Sequence, residues 1–305
     1  MCDILTLTMN PAVDATFRID HVSSGRKLRC DRPRYEPGGG GVNVSRTIRE
    51  LGGESLAIWT CGGTTGDLYR TLLDEAGLNH KPVAVQEWTR QNVIVTEEAT
   101  NEQYRFCLPG PELSGDEIEC CLEALKNVKG VRFAVFSGSL PTGLEPDFYA
   151  RAARAVGPEA RVIVDAANTV LREAVTSGVY GIKPNVDELG QLVDHELDGE
   201  HVADAGRQLL DETELEIVLV SCGSDGAVLV TRDESHELPA PTVSPRSRVG
   251  AGDSMVGAFV WRLNAGDAPL TAARYGVAAG AAAVVTPGTE LCNREDVERL
   301  FERVA

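Results

Sequence analysis

The stretch Arg248-Val249-Gly250-Ala251-Gly252-Asp253-Ser254-Met255-Val256-Gly257 joins a Gly-Ala-Gly turn to Asp253 and then to an apolar run. Met255, Val256, Phe259, Val260 and Leu263 fall at helical spacing, and Gly266 closes the run, which predicts a helix. Small residues at the positive end of a helix leave backbone N–H groups free to close on a phosphate, and a carboxylate is electrostatically favoured there. The same letters also describe a glycine turn with Asp253 as a helix cap. A second glycine loop upstream and a short Asn/Glu motif between the two favour the phosphate reading.

With 305 residues and 43% hydrophobic content, the chain is long enough for one large α/β domain with an appendage. No apolar run approaches a membrane span, and no charged leader precedes an apolar stretch at the N-terminus, so a cytoplasmic protein is expected. The eight cysteines show no C-x-x-C pair and no metal-ligand spacing, consistent with reduced thiols. A net charge of −17 argues against nucleic acid as a partner. Lysine occurs only five times, and arginine supplies 24 of the 29 basic residues. Such an acidic, lysine-poor composition suits a high-salt or high-GC organism, or reflects compositional drift. Against it, any local cluster of cations carries information.

From the N-terminus, Asp3–Met9 alternates as a strand that Asn10-Pro11 ends. Asp14 follows, able to accept hydrogen bonds from two sugar hydroxyls or simply to form a turn. Arg26, Lys27, Arg29, Arg32 and Arg34 then crowd together, as a phosphate or carboxylate site or as a solvated face. Pro37-Gly38-Gly39-Gly40-Gly41-Val42-Asn43-Val44 has more glycine than a turn needs and leaves backbone free to approach a ligand, with the Asn43 amide in the first turn of a helix. The loop lacks the dinucleotide pattern G-x-G-x-x-G. Val93–Glu97 and Gln103–Leu108 read as a hairpin that interrupts the α/β alternation, carrying Arg105 and preceded by Arg90.

Val131–Phe136, Arg161–Asp165 and Val179–Ile182 are continuous apolar strands of the kind buried on both faces of a parallel sheet. Ser139, Asp165 and Lys183 fall at their carboxyl ends, where such sheets bind ligands. Asn185 and Glu188 share the first turn of the next helix, as a capping box or as a pair that orients water around nucleotide-bound Mg²⁺. Glu216–Ser221 and Ala227–Thr231 flank a turn, Gly223-Ser224-Asp225-Gly226, small enough for a nucleotide to cross. Ala272–Val285 is an Ala/Gly-rich helix, for close packing or for a slot holding a flat ring.

Gly39-Gly40-Gly41-Val42-Asn43, Asn185-x-x-Glu188 and Val249-Gly250-Ala251-Gly252-Asp253 together resemble the PfkB (ribokinase-like) carbohydrate kinases over the whole chain. Within that family, Trp88-Thr89-Arg90-Gln91-Asn92 and Glu102-Gln103-Tyr104-Arg105-Phe106 are most similar to the minor-isozyme type of ATP-dependent 6-phosphofructokinase. The resemblance implies a three-layer α/β/α fold with a largely parallel sheet. It also implies a β-lid inserted from about 15–36 and 88–108 that pairs with another subunit's lid to form a homodimer. It makes Asp253 the general base and Gly250, Ala251 and Gly252 the donors to developing charge. Asp14, Gly39, Gly40, Gly41, Asn43 and Ser139 are implied for the sugar, and Lys27, Arg90 and Arg105 for its phosphate, all from one chain or one of them from the partner subunit. Lys183, Ser221, Gly223, Gly226 and Val249 are implied for ATP, and Asn185 and Glu188 for the water shell of Mg²⁺. Many members bind K⁺, here expected near Ser247, Val249, Ala283, Thr286 and Gly288. Glu290 departs from the basic or uncharged residue expected there. Glycine throughout the front loop favours fructose 6-phosphate over fructose 1-phosphate or tagatose 6-phosphate; a non-catalytic sugar-phosphate sensor is the alternative from another class.

Overall fold

Along the buried strands, alternate side chains fill opposite sides of one sheet. Phe133, Val135, Ile217 and Leu219 face one core, and Ala134, Phe136, Val218 and Val220 face the other. That two-sided burial makes these segments read as unbroken apolar runs. The computed structural model describes residues 2–304 apart from positions 198, 248, 287 and 289, so Arg248, Pro287 and Thr289 of the stretches read above lie outside the described residues.

The elements run β1 Ile4–Thr8, β2 Ala12–Ile19, β3 Arg34–Gly38, α1 Gly40–Glu50, β4 Leu56–Cys61, α2 Gly63–Glu75, β5 Asn79–Ala84, β6 Arg90–Glu97 and β7 Gln103–Phe106. They continue α3 Gly115–Lys126, β8 Phe133–Ser137, α4 Phe148–Val156, β9 Arg161–Asp165, α5 Asn168–Thr176, β10 Gly181–Ile182, α6 Val186–Leu192 and α7 Val202–Glu212. The last are β11 Ile217–Ser221, β12 Ala227–Thr231, β13 Ser235–Leu238, α8 Ala251–Asn264, α9 Pro269–Val284 and α10 Arg294–Phe301. Among the described residues no helix is long and apolar enough to cross a membrane.

The large sheet has the order β13-β12-β11-β10-β9-β8-β1-β4-β5, parallel from β5 to β11, with β12 and β13 added antiparallel at one edge. Helices α3 to α7 cover one face, and α1, α8, α9 and α10 the other. The small sheet is β3-β2-β6-β7, with β2 and β6 parallel and both outer pairs antiparallel.

Asn10-Pro11 ends β1 as expected, but β2 starts at once at Ala12; of the two readings of Asp14 the turn former falls away, because it is a buried strand residue. The small sheet accordingly begins earlier than residue 15. The Ala/Gly run of α9 serves packing, because a Cβ on Gly276 would lie 2.9 Å from the Met255 carbonyl of α8. Eleven of its residues are buried.

Candidate active site

Helix α8 starts from Gly250, whose φ of 74° and αL conformation suit glycine, and a Cβ there would meet Leu291 at 2.4 Å. Ala251, Gly252 and Asp253 are therefore the first turn, where N–H groups have no intrahelical acceptor. Asp253 Oδ2 accepts a hydrogen bond from Asn43 Nδ2 at 2.9 Å. The Asn43 Oδ1 accepts in turn from Arg46 at 3.1 Å, and Arg46 faces Glu36 at 3.4 Å. An arginine thus orients the amide that holds the carboxylate. Desolvation raises the Asp253 pKa to about 6, with Asp165 adding repulsion and Asn43, Lys183 and Arg46 opposing it. A carboxylate so tuned can accept a proton near neutral pH.

Beside it, Lys183 is buried and pairs with Asp165 Oδ1 at 3.1 Å, while Asp165 Oδ2 accepts from Ser137 Oγ at 3.3 Å. Burial alone depresses the Lys183 pKa, but Asp165, with Glu188 and Asp253, reverses the shift, so the side chain stays cationic. A Cβ on Gly252 would lie 3.6 Å from Lys183 Nζ, which puts this cation at the mouth of α8.

At the start of α6, both descriptions of Asn185 and Glu188 apply. Asn185 Oδ1 accepts from the Glu188 N–H and Glu188 Oε2 from the Asn185 N–H, each at 2.8 Å. Asn185 Nδ2 and Glu188 Oε1 are outside the capping box, and burial raises the Glu188 pKa against its Asn185 and Lys183 contacts. An amide and a carboxylate oxygen beside Asp165 suit a hydrated hard cation such as Mg²⁺. Glutamine also closes a capping box. Glu188→Gln should therefore leave the melting temperature unchanged while the Mg²⁺ concentration for half-maximal rate rises about tenfold. A melting loss without a shift in the Mg²⁺ curve would assign Glu188 to the cap alone.

The front glycines are consumed differently from the expectation of open backbone. A Cβ on Gly40 would lie 2.2 Å from Ser137 Oγ, and one on Gly41 2.3 Å from the Leu7 carbonyl. Gly39 has a φ of 125° and would meet Thr8 at 2.7 Å. The loop is glycine chiefly so that α1 can seat against the ends of β1 and β8.

Strand register decides what the small sheet shows to this centre. Ala12↔Arg90, Asp14↔Asn92, Thr16↔Ile94 and Arg18↔Thr96 pair across β2 and β6, and Ile94↔Arg105 across β6 and β7. With the period of two, Asp14, Arg18, Arg90, Asn92, Thr96 and Arg105 share one face. Asp14 Oδ1 accepts from Asn92 Nδ2 at 2.8 Å, and burial raises its pKa against Asn92, Arg105 and Arg90. Arg90 is anchored on the Asn10 carbonyl at 3.1 Å and the Leu108 carbonyl at 3.2 Å, and burial lowers its pKa. Ser139 Oγ accepts from Asn10 Nδ2 at 3.0 Å and is exposed. Lys27 does not join this group: it is exposed on the β2–β3 connection and makes no hydrogen bond or ion pair among the described residues.

On the opposite side, Ser221 N–H donates to the Pro184 carbonyl at 2.9 Å, which ties β11 to the start of α6. A Cβ on Gly223 would meet nothing within 4 Å, whereas one on Gly226 would lie 1.9 Å from the Leu238 carbonyl. Only Gly223 leaves open space; Gly226 is a packing glycine. Val249 N–H donates to Ser247 Oγ at 3.2 Å, and Ser247 Oγ donates to the Gly288 carbonyl at 2.6 Å. Thr286 Oγ1 lies 2.7 Å from the Ala283 carbonyl and 2.8 Å from that of Glu290. These tied loops concentrate carbonyl and hydroxyl oxygens around the expected K⁺ position. The unexpected Glu290 forms an ion pair with Arg34 of β3.

Arg46, Glu36, Asn92 and Asn10 were not singled out from sequence. Arg46 alone carried a local signal, three residues after Asn43 on the same helix face.

Cations and helix N–H groups gathered around one carboxylate held near its protonation point form a site for phosphoryl transfer to an alcohol. The chain belongs to the pfkB family of carbohydrate kinases, whose model matches residues 7–296. It is 44% identical over 309 residues to the ATP-dependent 6-phosphofructokinase isozyme 2 of Mycobacterium tuberculosis, covering 99% of this chain and 90% of that one. The crystal structure of phosphofructokinase-2 from Escherichia coli in complex with potassium superposes with a TM-score of 0.95 at 37% identity, covering 99% of both chains. The structure of that enzyme in complex with fructose-6-phosphate gives 0.93 at 36% identity, covering 100% of this chain and 99% of the other.

Proposed function

We propose that this kinase transfers the γ-phosphoryl group of ATP to the free primary hydroxyl of fructose 6-phosphate, giving fructose 1,6-bisphosphate and ADP. The observation that carries the reading is the face of the small sheet that holds Arg90 and Arg105 beside Asp14, which suits an acceptor already holding a phosphate. The 6-phosphofructokinase relatives support the choice of sugar.

Asp253, positioned by Asn43, takes the proton of the attacking hydroxyl. The N–H groups of Gly250, Ala251 and Gly252 and the Lys183 ammonium offset charge at the transferred group. Asp14, Asn43, Ser139 and the Gly39–Gly41 loop bind the sugar, and Arg90 and Arg105 its phosphate. Asn185 and Glu188 hold the water shell of Mg²⁺, which neutralises charge on the ATP phosphates. Ser221, Gly223 and Val249 border the nucleotide, and the oxygens near Ser247, Ala283, Thr286 and Gly288 hold K⁺.

One kinase domain carries the small sheet as a lid, and the lid pairs two copies into a dimer. The outer face of that sheet supports the pairing, since Tyr35 is 41% and Phe106 56% exposed beside Phe17 and Val93. A cytoplasmic location follows from where ATP and phosphorylated sugars are held.

The test is ATP-dependent ADP release with fructose 6-phosphate, fructose 1-phosphate, tagatose 6-phosphate, fructose and ribose. Preference for fructose 6-phosphate is expected. A clear preference for another phosphorylated sugar overturns the substrate, and silence on all five overturns the activity. Arg90→Ala removes charge-assisted contacts and should raise the KM for the sugar phosphate about tenfold or more, with the ATP KM little changed. An effect confined to ATP would reassign Arg90.

A further inference from the structure

The small sheet and the loops bordering α8 enclose a cleft of about 730 Å³, large enough for a nucleotide or a sugar phosphate. Arg18 of β2 and Arg105 of β7 line it from the sheet side; Arg246, Ser247, Val249 and Gly288 line it from the other. No carboxylate lines it among the described residues, in a chain of net charge −17. Glu290, two residues beyond Gly288, is engaged with Arg34.

The three guanidinium groups are weakly held. Among the described residues the Arg18 side chain pairs only with Glu98, at 3.8 Å, and is 62% exposed. The side chains of Arg105 and Arg246 form no ion pair or hydrogen bond among the described residues, although the Arg246 backbone is fixed by its N–H bond to the Val284 carbonyl at 2.7 Å. Strand register puts Arg18 on the same face as Asp14 and Arg90. Arg105 and Arg246 bring like charge into one cleft beside an Arg18 held only by its long pair with Glu98; such charges repel one another, and an anion between them removes that repulsion and gains charge-assisted hydrogen bonds.

We propose that Arg18 and Arg246, with Arg105, form a phosphate subsite that spans the lid and the rim of α8, and that a phosphate group of the bound substrates sits between them. The proposal rests on the kinase reading above and adds Arg18 and Arg246 to its binding residues. Because Arg18 and Arg105 come from the sheet and Arg246 from the rim, a phosphate here pulls the lid onto the rim. The shared chemistry is a phosphate ester or anhydride, contributed by the sugar or by ATP.

Arg18→Gln and Arg246→Gln keep size and polarity while removing charge. The experiment measures KM for fructose 6-phosphate and ATP in each variant and in the pair, with fructose as a second acceptor. Binding of inorganic phosphate and of pyrophosphate to the free enzyme is followed by calorimetry, and melting curves check folding. Each single change should raise one KM about tenfold and weaken phosphate or pyrophosphate binding similarly. The pair should cost less than the product of the singles, because both residues meet one phosphate. A rise for fructose 6-phosphate with unchanged ATP assigns the sugar's phosphate; a rise for ATP with either acceptor assigns the nucleotide's. If both KM values and the anion affinities of folded variants stay within twofold of the parent, the subsite is wrong. A parent inactive on fructose 6-phosphate overturns the function alone, since anion binding still tests the subsite.

Discussion

Asp253→Asn should lower kcat about a thousandfold while leaving both KM values within a few-fold, because a positioned base contributes mainly in the transition state. Asparagine keeps the shape that meets Asn43 and α8 but cannot accept the proton. The same change should not harm stability. Burial and Asp165 lift the folded pKa to about 6 from the ordinary 3.8, so the proton is bound more tightly in the folded protein. The resulting stabilisation is complete below the unfolded value and is lost as pH rises through about 6. At pH 7.5 the ionised carboxylate therefore opposes folding, and the asparagine variant should melt at or above the parent. Turnover of the parent should fall on acidification through about pH 6 as Asp253 is protonated. A variant with near-parental kcat would remove Asp253 from the chemistry, and one that melts well below the parent would mean that the charge is a structural asset.

Lys183→Met should be costly in both respects. Methionine fills the volume of the lysine stem but leaves Asp165, with a 15% exposed side chain, without the cation 3.1 Å away. Breaking a pair buried to this degree costs about 3 kcal/mol, moderated here by the remaining water access to Asp165. Burial alone lowers the Lys183 pKa, and Asp165, Glu188 and Asp253 raise it overall. Its contribution to stability is thus present at neutral pH and lost only as pH rises through the lysine range. Thermal melts at pH 7.5 should show a drop of several degrees. Without Lys183 one influence holding the Asp253 pKa down is gone, so the acid limb of the rate profile should move to higher pH. A fall in kcat of about a hundredfold is expected from losing a cation at the mouth of α8. An unchanged acid limb in a folded variant would uncouple the two residues.

The same contacts explain how far sequence reading reaches. The capping box at Asn185 and Glu188 was legible because its two hydrogen bonds span three residues. The α8 turn was legible because one αL glycine and a helical period are local features. The front glycines were singled out for close ligand approach; their packing against Leu7 and Ser137, which exclude a side chain there, was not legible because those residues come from two distant strands. For Asp14 the turn reading stayed open because Asn10-Pro11 ends β1 as expected, and nothing local tells that the chain enters the small sheet at once, at Ala12. The resemblance placed Lys27 with Arg90 and Arg105 at the sugar's phosphate, with a partner subunit as one source of a cation; within one chain, register puts only the two arginines on the face with Asp14.

What the sequence by itself determined is the α/β architecture, the kinase family, the helix N-terminus that carries Asp253, and the residue types around it. Each is written in a period, a motif or a run of neighbouring residues. Only the tertiary structure decided that Asn43 meets Asp253 across 210 positions, that Lys183 belongs to Asp165, and that Arg18 and Arg246 line one cleft. A one-residue slip in register would turn Arg18 to the other face of its strand. The Asp253 pKa depends on burial by segments distant in the chain, and neither register nor burial is a property of a short stretch read alone.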